Sequence, residues 1–262
     1  MKQLTEKLAN DIVQSAFKTI FPDKDYQSEK IKQCQKQREK EKNFRNQTSE
    51  ECFKKMVEVI FYSGLGAKIV TERMESILAA LGNFNEASKF DENDYEDFFN
   101  QKNIIKNEKK IKACIHNAKV MKNIDAKYGS FINYLNTFSD KLPNDNEAIE
   151  KILDDLRAKF KFIGPKTGRH FLMMLGLPTV KPDRMVMRVL HRLGLIDSEK
   201  DIKKAVEICS EIAKLTDIPQ SFLDLLLVKI GQSEGVELCT LNNPKCNLCG
   251  LEPYCEYSKM LS

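Results

Sequence analysis

The chain has 262 residues, of which 42% are hydrophobic and 31% charged, with no tryptophan and a formal net charge of +4. That length supports one large domain or two small ones with a real core, and the apolar share is ordinary. The mild positive balance permits nucleic-acid binding without arguing for it; a local basic face would count for more than the total.

The opening stretch "MKQLTEKLANDIVQSAF" sets acids among its apolar residues. It has no uninterrupted apolar segment of the kind a secretory signal needs, and no run in the chain approaches membrane-spanning length. The expected location is therefore the cytoplasm, with no membrane partner. Eight cysteines are not expected to form disulfides there.

Apolar residues recur at three- and four-residue spacing in 4–20, 52–62, 67–81, 108–121, 147–160, 167–175, 184–194, 200–214 and 220–230, which predicts an all-α chain. Breaks fall at "FPDKD" (21–25), "GLG" (64–66), "LPND" (142–145), "GLP" (176–178) and "KPD" (181–183), where turn chemistry is present. Short connections between many helices predict a compact bundle. Residues 24–48, "KDYQSEKIKQCQKQREKEKNFRNQT", read as a solvated helix or mobile linker, with a basic arm along DNA as the alternative. Residues 91–98, "DENDYEDF", are acidic and would face away from any bound DNA.

The segment "FKFIGPKTGRHFLMML" (160–175) opens a helix at Pro165, a residue suited to a first helical position because its missing N–H would be unpaired there anyway. Gly164 at the bend leaves backbone N–H groups free at a helix N-terminus, a place that binds phosphate. Lys166 could act there as a nucleophile or contact a phosphate. Further on, Asp183 precedes the 184–194 helix and suits its N-cap.

Four cysteines (Cys34, Cys52, Cys114, Cys209) are scattered, and four crowd into "CTLNNPKCNLCGLEPYC". Cys239, Cys246, Cys249 and Cys255 follow the spacing C-x6-C-x2-C-x5-C. Four thiols this close in a reducing compartment point to a cluster or to a structural zinc, and thiolate chemistry alone suits either.

The cysteine spacing, with Pro244 before the second cysteine and Thr240 after the first, resembles the 4Fe–4S loop of endonuclease III-type DNA glycosylases. "FIGPKTG" is similar to the helix–hairpin–helix of the same superfamily: Gly164, Lys166 and Thr167 match a Gly-x-Gly-x-Lys-Thr-Ala pattern, while Phe162 and Gly168 depart from it. The resemblance implies that Lys166 is the catalytic nucleophile and Asp183, seventeen residues on, the catalytic carboxylate. It implies that Ile163, Gly164, Thr167 and Gly168 of the hairpin, Lys245 of the cysteine loop and Leu65, as an apolar wedge, contact DNA; the alternative for Leu65 is a core leucine at a helix start. His170 is expected to be packed or DNA-facing.

A second likeness covers the middle of the chain. "IIKNEKKIKACIHNAKVM" (104–121), "FINYLNTF" (131–138) and "FKFIG" (160–164) resemble 3-methyladenine DNA glycosylase I, whose pattern accommodates Phe162. Val59 and Ala67 fall where that family carries its purine-binding glutamate and stacking tryptophan, so its base-recognition residues do not carry over. Together the resemblances imply a two-lobed DNA glycosylase with AP lyase activity through a lysine Schiff base (alternatives: a monofunctional glycosylase for alkylated purines or an unusual modified base, or a catalytically inactive DNA-binding scaffold) and with a 4Fe–4S cluster (zinc as the alternative). Segment 1–49 would pack on the cluster lobe, 50–165 would form a helical barrel, and 166–262 would carry the hairpin's second helix, Asp183 and the cluster. The implied partner is double-stranded DNA with a damaged or modified base, bound across the cleft by a monomer.

Overall fold

A computed structural model describes residues 2–91, 94–143, 145–232 and 235–261. It is all-helical among these residues. In chain order the helices are α1 (Glu6–Ile20), α2 (Tyr26–Phe44), α3 (Ser49–Tyr62), α4 (Ala67–Leu81), α5 (Phe84–Ala87), α6 (Tyr95–Asn100), α7 (Glu108–Tyr128), α8 (Phe131–Asn136), α9 (Asn146–Lys159), α10 (Pro165–Leu175), α11 (Arg184–Arg192), α12 (Ile202–Thr216), α13 (Gln220–Gly231) and α14 (Glu256–Lys259). Single 3-10 turns at Cys246–Leu248 and Glu252–Tyr254 shape the cysteine loop. Glu92 and Asn93 of the acidic stretch, and Asn144 of the "LPND" turn, lie outside the described residues. No helix among the described residues is long and apolar enough to cross a membrane.

Two compact units emerge: Met1–Glu39 with Pro178–Ser262, and Lys40–Leu177. The sequence placed the borders at 49/50 and 165/166. The later border falls beyond α10 because Phe171, Leu172 and Leu175 are buried in the same core as Phe131 and Leu156, so both hairpin helices share one unit.

In the Lys40–Leu177 unit, α3 packs against α4, α7, α8 and α10, and α9 against α10. Phe53, Phe61, Phe131 and Phe171 are fully buried at its centre, each contributing about 1.5–3 kcal/mol of burial free energy. A capping box starts α3: Thr48 accepts from the Glu51 N–H while Glu51 accepts from the Thr48 N–H. Asn107 and Asp145 cap α7 and α9 in the simpler way.

In the other unit, α1 packs on α12 and α13, and α11 on α12, α13 and α14, around Phe17, Phe222 and Leu226. The part of α2 in this unit is docked, neither a mobile linker nor a free arm. Tyr26 lies 5.3 Å from the Phe17 ring, Lys30 donates to the Thr216 carbonyl at 2.9 Å, and Ser221 donates to Gln37 at 3.1 Å. A helix polar on nearly every side is held by such point contacts rather than by an apolar stripe.

Candidate active site and cysteine loop

In the Lys40–Leu177 unit, α9 and α10 form the hairpin. Arg169, 4% exposed, reaches back with one guanidinium nitrogen to both carboxylate oxygens of Glu150, at 2.7 and 2.6 Å, a charge-assisted contact that ties one helix to the other. The turn between them is held by α7. Asn117, fully buried, donates to the Lys161 carbonyl at 3.0 Å and accepts from the Lys161 N–H at 2.8 Å. Phe162 has φ +59°, so the non-glycine residue adopts the left-handed conformation that a glycine would take freely, at a cost of about 1–2 kcal/mol.

Gly164 is the N-cap of α10, has no side-chain capping bond, and is followed by Pro165. The first-turn N–H groups of Lys166 and Thr167 therefore have no intrahelical partner. Lys166 is half-buried in that turn. Within its unit, its ammonium has no hydrogen-bond or ion-pair partner among the described residues. Ile163 is 3% exposed and Gly168 is buried, so neither presents a side chain outward; the Gly168 N–H is moreover given to the Gly164 carbonyl at 2.7 Å. Gly168 lacks the pattern's alanine for a packing reason: a Cβ there would lie 2.4 Å from Leu153 Cδ1 and 3.3 Å from Ile163 Cγ2.

Leu65 is half-buried against the core at the end of α3. Gly64 beside it has φ +75°, and a side chain at Gly64 or Gly66 would meet no atom within 4 Å, so the loop has open space around its tip. Val59 is 1% exposed, a core residue. Its neighbour Glu58 is half-buried, and burial raises its carboxyl above the usual carboxylate range.

In the other unit, Asp183 caps α11. Its Oδ1 accepts from the N–H groups of Met185 (2.8 Å) and Val186 (3.1 Å), which fixes the carboxylate's direction. The cap and a chemical role are compatible, since the second oxygen stays available. A second acid stands behind this segment. Asp224 of α13, 8% exposed, accepts from the Lys181 N–H at 2.7 Å. Burial pushes its carboxyl up to about 7; the Lys181 N–H opposes the rise and the Asp183 charge adds to it. Sequence reasoning passed over Asp224 because one acid in an apolar helix carries no signal until its surroundings are known.

The far end of α11 grips the cysteine loop. Arg188 donates to the Cys239 carbonyl at 2.9 Å. Arg192, 7% exposed, donates to Cys239 Sγ at 3.2 Å and to the carbonyls of Thr240 (2.7 Å) and Leu241 (3.1 Å). Its guanidinium also lies 4.3 Å from the Tyr257 ring centre. From α1, Thr19 Oγ1 accepts the Gly250 N–H at 3.1 Å. Cys239, Cys246, Cys249 and Cys255 line one cavity with Arg192, Pro244 and Tyr257. No group of three or more His, Cys, Asp or Glu residues among the described residues converges as around a single metal ion. The four thiols share this cavity with Glu252, and with the N–H···S bond from Arg192 these donor types suit a thiolate-bound group. Lys245 is exposed on this loop.

The family model described as "Methyladenine glycosylase" matches residues 28–185, a span that includes α3, α7, the hairpin, Lys166 and Asp183. The chain belongs to the methyladenine glycosylase family. The cysteine loop lies outside the matched span. Endonuclease III of Rickettsia conorii is 28% identical over 127 residues, 47% of this chain and 52% of that protein; the chain thus spans about half the length of this curated relative. The crystal structure of an 8-oxoguanine DNA glycosylase of Thermotoga maritima matches 84% of this chain and 95% of its own with a TM-score of 0.57 at 17% identity, which establishes the shared fold. The 3-methyladenine DNA glycosylase I from Staphylococcus aureus matches 52% of this chain and 84% of its own with a TM-score of 0.42 at 23% identity.

Proposed function

We propose that the protein is a DNA N-glycosylase that excises a damaged or modified base from double-stranded DNA as a monomer and then cleaves the strand as an AP lyase. The observation that carries this reading is the first turn of α10, where a lysine and backbone N–H groups, unpaired among the described residues, sit together at the mouth of a helical hairpin, within the span that matches a glycosylase family. Peptide N–H groups of this turn suit a backbone phosphate, with Ile163, Gly164 and Thr167 contributing main chain; the Gly168 N–H is already given to the Gly164 carbonyl at 2.7 Å. Leu65 fills the stack vacated by the extruded nucleotide, and Lys245 adds a cationic contact.

Lys166 is the nucleophile. Its neutral amine attacks C1′ of the target sugar, forming an N–C1′ bond as the bond from C1′ to the base breaks and the base leaves with the bonding pair. The C1′–O4′ bond breaks as O4′ takes the proton lost from the nitrogen, leaving an iminium. A proton then leaves C2′ to a base and the C3′–O bond breaks, the phosphate departing as the 5′ end of the downstream strand, and water hydrolyses the iminium to free Lys166. Asp183, held in one direction by its cap bonds, stabilises the positive charge that grows on the sugar, or takes the proton of the amine.

The four cysteines hold a 4Fe–4S cluster, with structural zinc as the alternative. Bound there, the cluster supplies a cross-link between the loop segments. Arg188 and Arg192 fasten that loop to the helix whose other end is Asp183, so the cysteine loop serves the carboxylate's placement.

A panel of duplexes carrying oxidised pyrimidines, oxidised purines or alkylated purines tests the reading. Wild type should release one class of base, and Lys166→Ala and Asp183→Asn should each slow release at least a hundredfold. Absence of base release from every duplex, with tight duplex binding retained, would contradict it.

A further inference from the structure

Lys110 breaks two local rules. It lies in the first turn of α7, where a positive charge opposes the helix dipole, and it is 4% exposed, although lysines are rarely buried. Its surroundings explain this. The ammonium donates to the carbonyl of Ile60, to that of Ser63 at 2.5 Å and to that of Phe61 at 3.5 Å. These are the last carbonyls of α3, the negative end of that dipole. The ammonium also lies 5.5 Å from the Phe162 ring centre and 6.0 Å from that of Phe61, within cation–π range. One buried cation therefore touches the segment leading into Gly64–Leu65–Gly66 and the turn of the hairpin. Two helical turns along α7, Asn117 holds the same turn through both backbone bonds of Lys161. All of these residues belong to the Lys40–Leu177 unit.

We propose that Lys110 is a positioning residue that couples the Gly64–Gly66 loop to the hairpin turn at Phe162, so that wedge and hairpin meet DNA in one fixed register. The loop itself has open space around it and few bonds of its own, so its placement depends on the carbonyls just before it. The exposed Phe162 ring acquires a purpose: it covers the ammonium from the hairpin side. A glycine there would satisfy the backbone and leave the cation uncovered. The consequence for DNA rests on the glycosylase reading; the coupling between the two segments does not.

Hydrogen exchange of the free, full-length protein tests the coupling. Lys110→Met should speed amide exchange at least tenfold in both 60–67 and 160–164, segments a hundred residues apart. Should Lys110→Met fail to fold, Phe162→Leu, which alters an exposed ring, should still speed exchange in 60–67. Unchanged exchange in 60–67 for Phe162→Leu, or a change confined to one segment for Lys110→Met, would overturn the proposal. On duplexes carrying 2-aminopurine beside an abasic-site analogue, wild type should give a fluorescence rise. Lys110→Met should lose most of that rise while its duplex affinity stays within threefold. Coupled exchange with no fluorescence change in wild type would leave the coupling standing and count against the glycosylase reading. A full fluorescence rise in Lys110→Met would overturn the claim of a fixed register.

Discussion

Asp224→Asn isolates the energetic cost of the buried acid behind Asp183. The Asp224 carboxyl has a reference value of 3.8 and is pushed to about 7 in the folded protein, first by burial. An acid raised on folding keeps its proton better in the folded state, so its ionisation opposes folding. The cost is absent below about pH 4, grows as pH rises through the window up to about 7, and is constant above it. At about 1.4 kcal/mol per pH unit, it reaches about 4 kcal/mol at pH 8 and is about 1.5 kcal/mol at pH 5. Asparagine keeps an oxygen for the Lys181 N–H, which Asp224 accepts at 2.7 Å, and cannot ionise. Urea unfolding of wild type and variant at pH 5, 6, 7 and 8 should therefore show a stability advantage for Asp224→Asn that widens by about 2–3 kcal/mol across the series. A pH-independent difference between the two proteins would refute the assignment of a raised, buried carboxyl at this position.

The fit of Gly168 to Leu153 gives a second test. Gly168→Ala should cost about 1 kcal/mol, overpacking against Leu153 outweighing the helix preference for alanine. The double variant with Leu153→Val should cost less than the sum of the singles in an unfolding cycle; strict additivity would contradict the steric account. At the cysteine loop, Arg192→Met removes the N–H···S bond to Cys239 and the bonds to Thr240 and Leu241. The purified variant should carry less than half the iron of wild type, read by metal analysis and visible absorbance. Full iron loading would show that Arg192 does not hold the loop. Zinc in place of iron in wild type would refute the cluster itself.

The helical plan was legible in the sequence wherever one face is apolar. The predicted segments at 67–81, 147–160 and 220–230 correspond to α4, α9 and α13 within a residue or so at each end. The α2 helix was not legible as a docked element because it is polar on almost all sides and is held by contacts to residues nearly two hundred positions away, such as Lys30 to Thr216. The two compact units divide at other places than the sequence borders for a related reason. Turn residues mark where the chain bends, whereas the border after Leu177 is set by which core α10 enters. At the site, Gly164, Lys166 and the four cysteines stand out by type and spacing. Phe162 looked like a misfit and proves to occupy the left-handed region itself. Lys110 and Asp224 were invisible, since a charge in a helix is ordinary until burial and partners are known.

The central claim is that Lys166 attacks the sugar, and the most direct measurement is borohydride trapping. Reacting wild type with a lesion-bearing or abasic duplex in the presence of borohydride should reduce the Schiff base to a stable covalent adduct, and digestion with mass spectrometry should locate that adduct on Lys166. Lys166→Ala should give no adduct while still binding duplex within tenfold of wild type. An adduct on another residue, undiminished trapping by Lys166→Ala, or base release by wild type with no adduct at all would contradict Lys166 as the nucleophile.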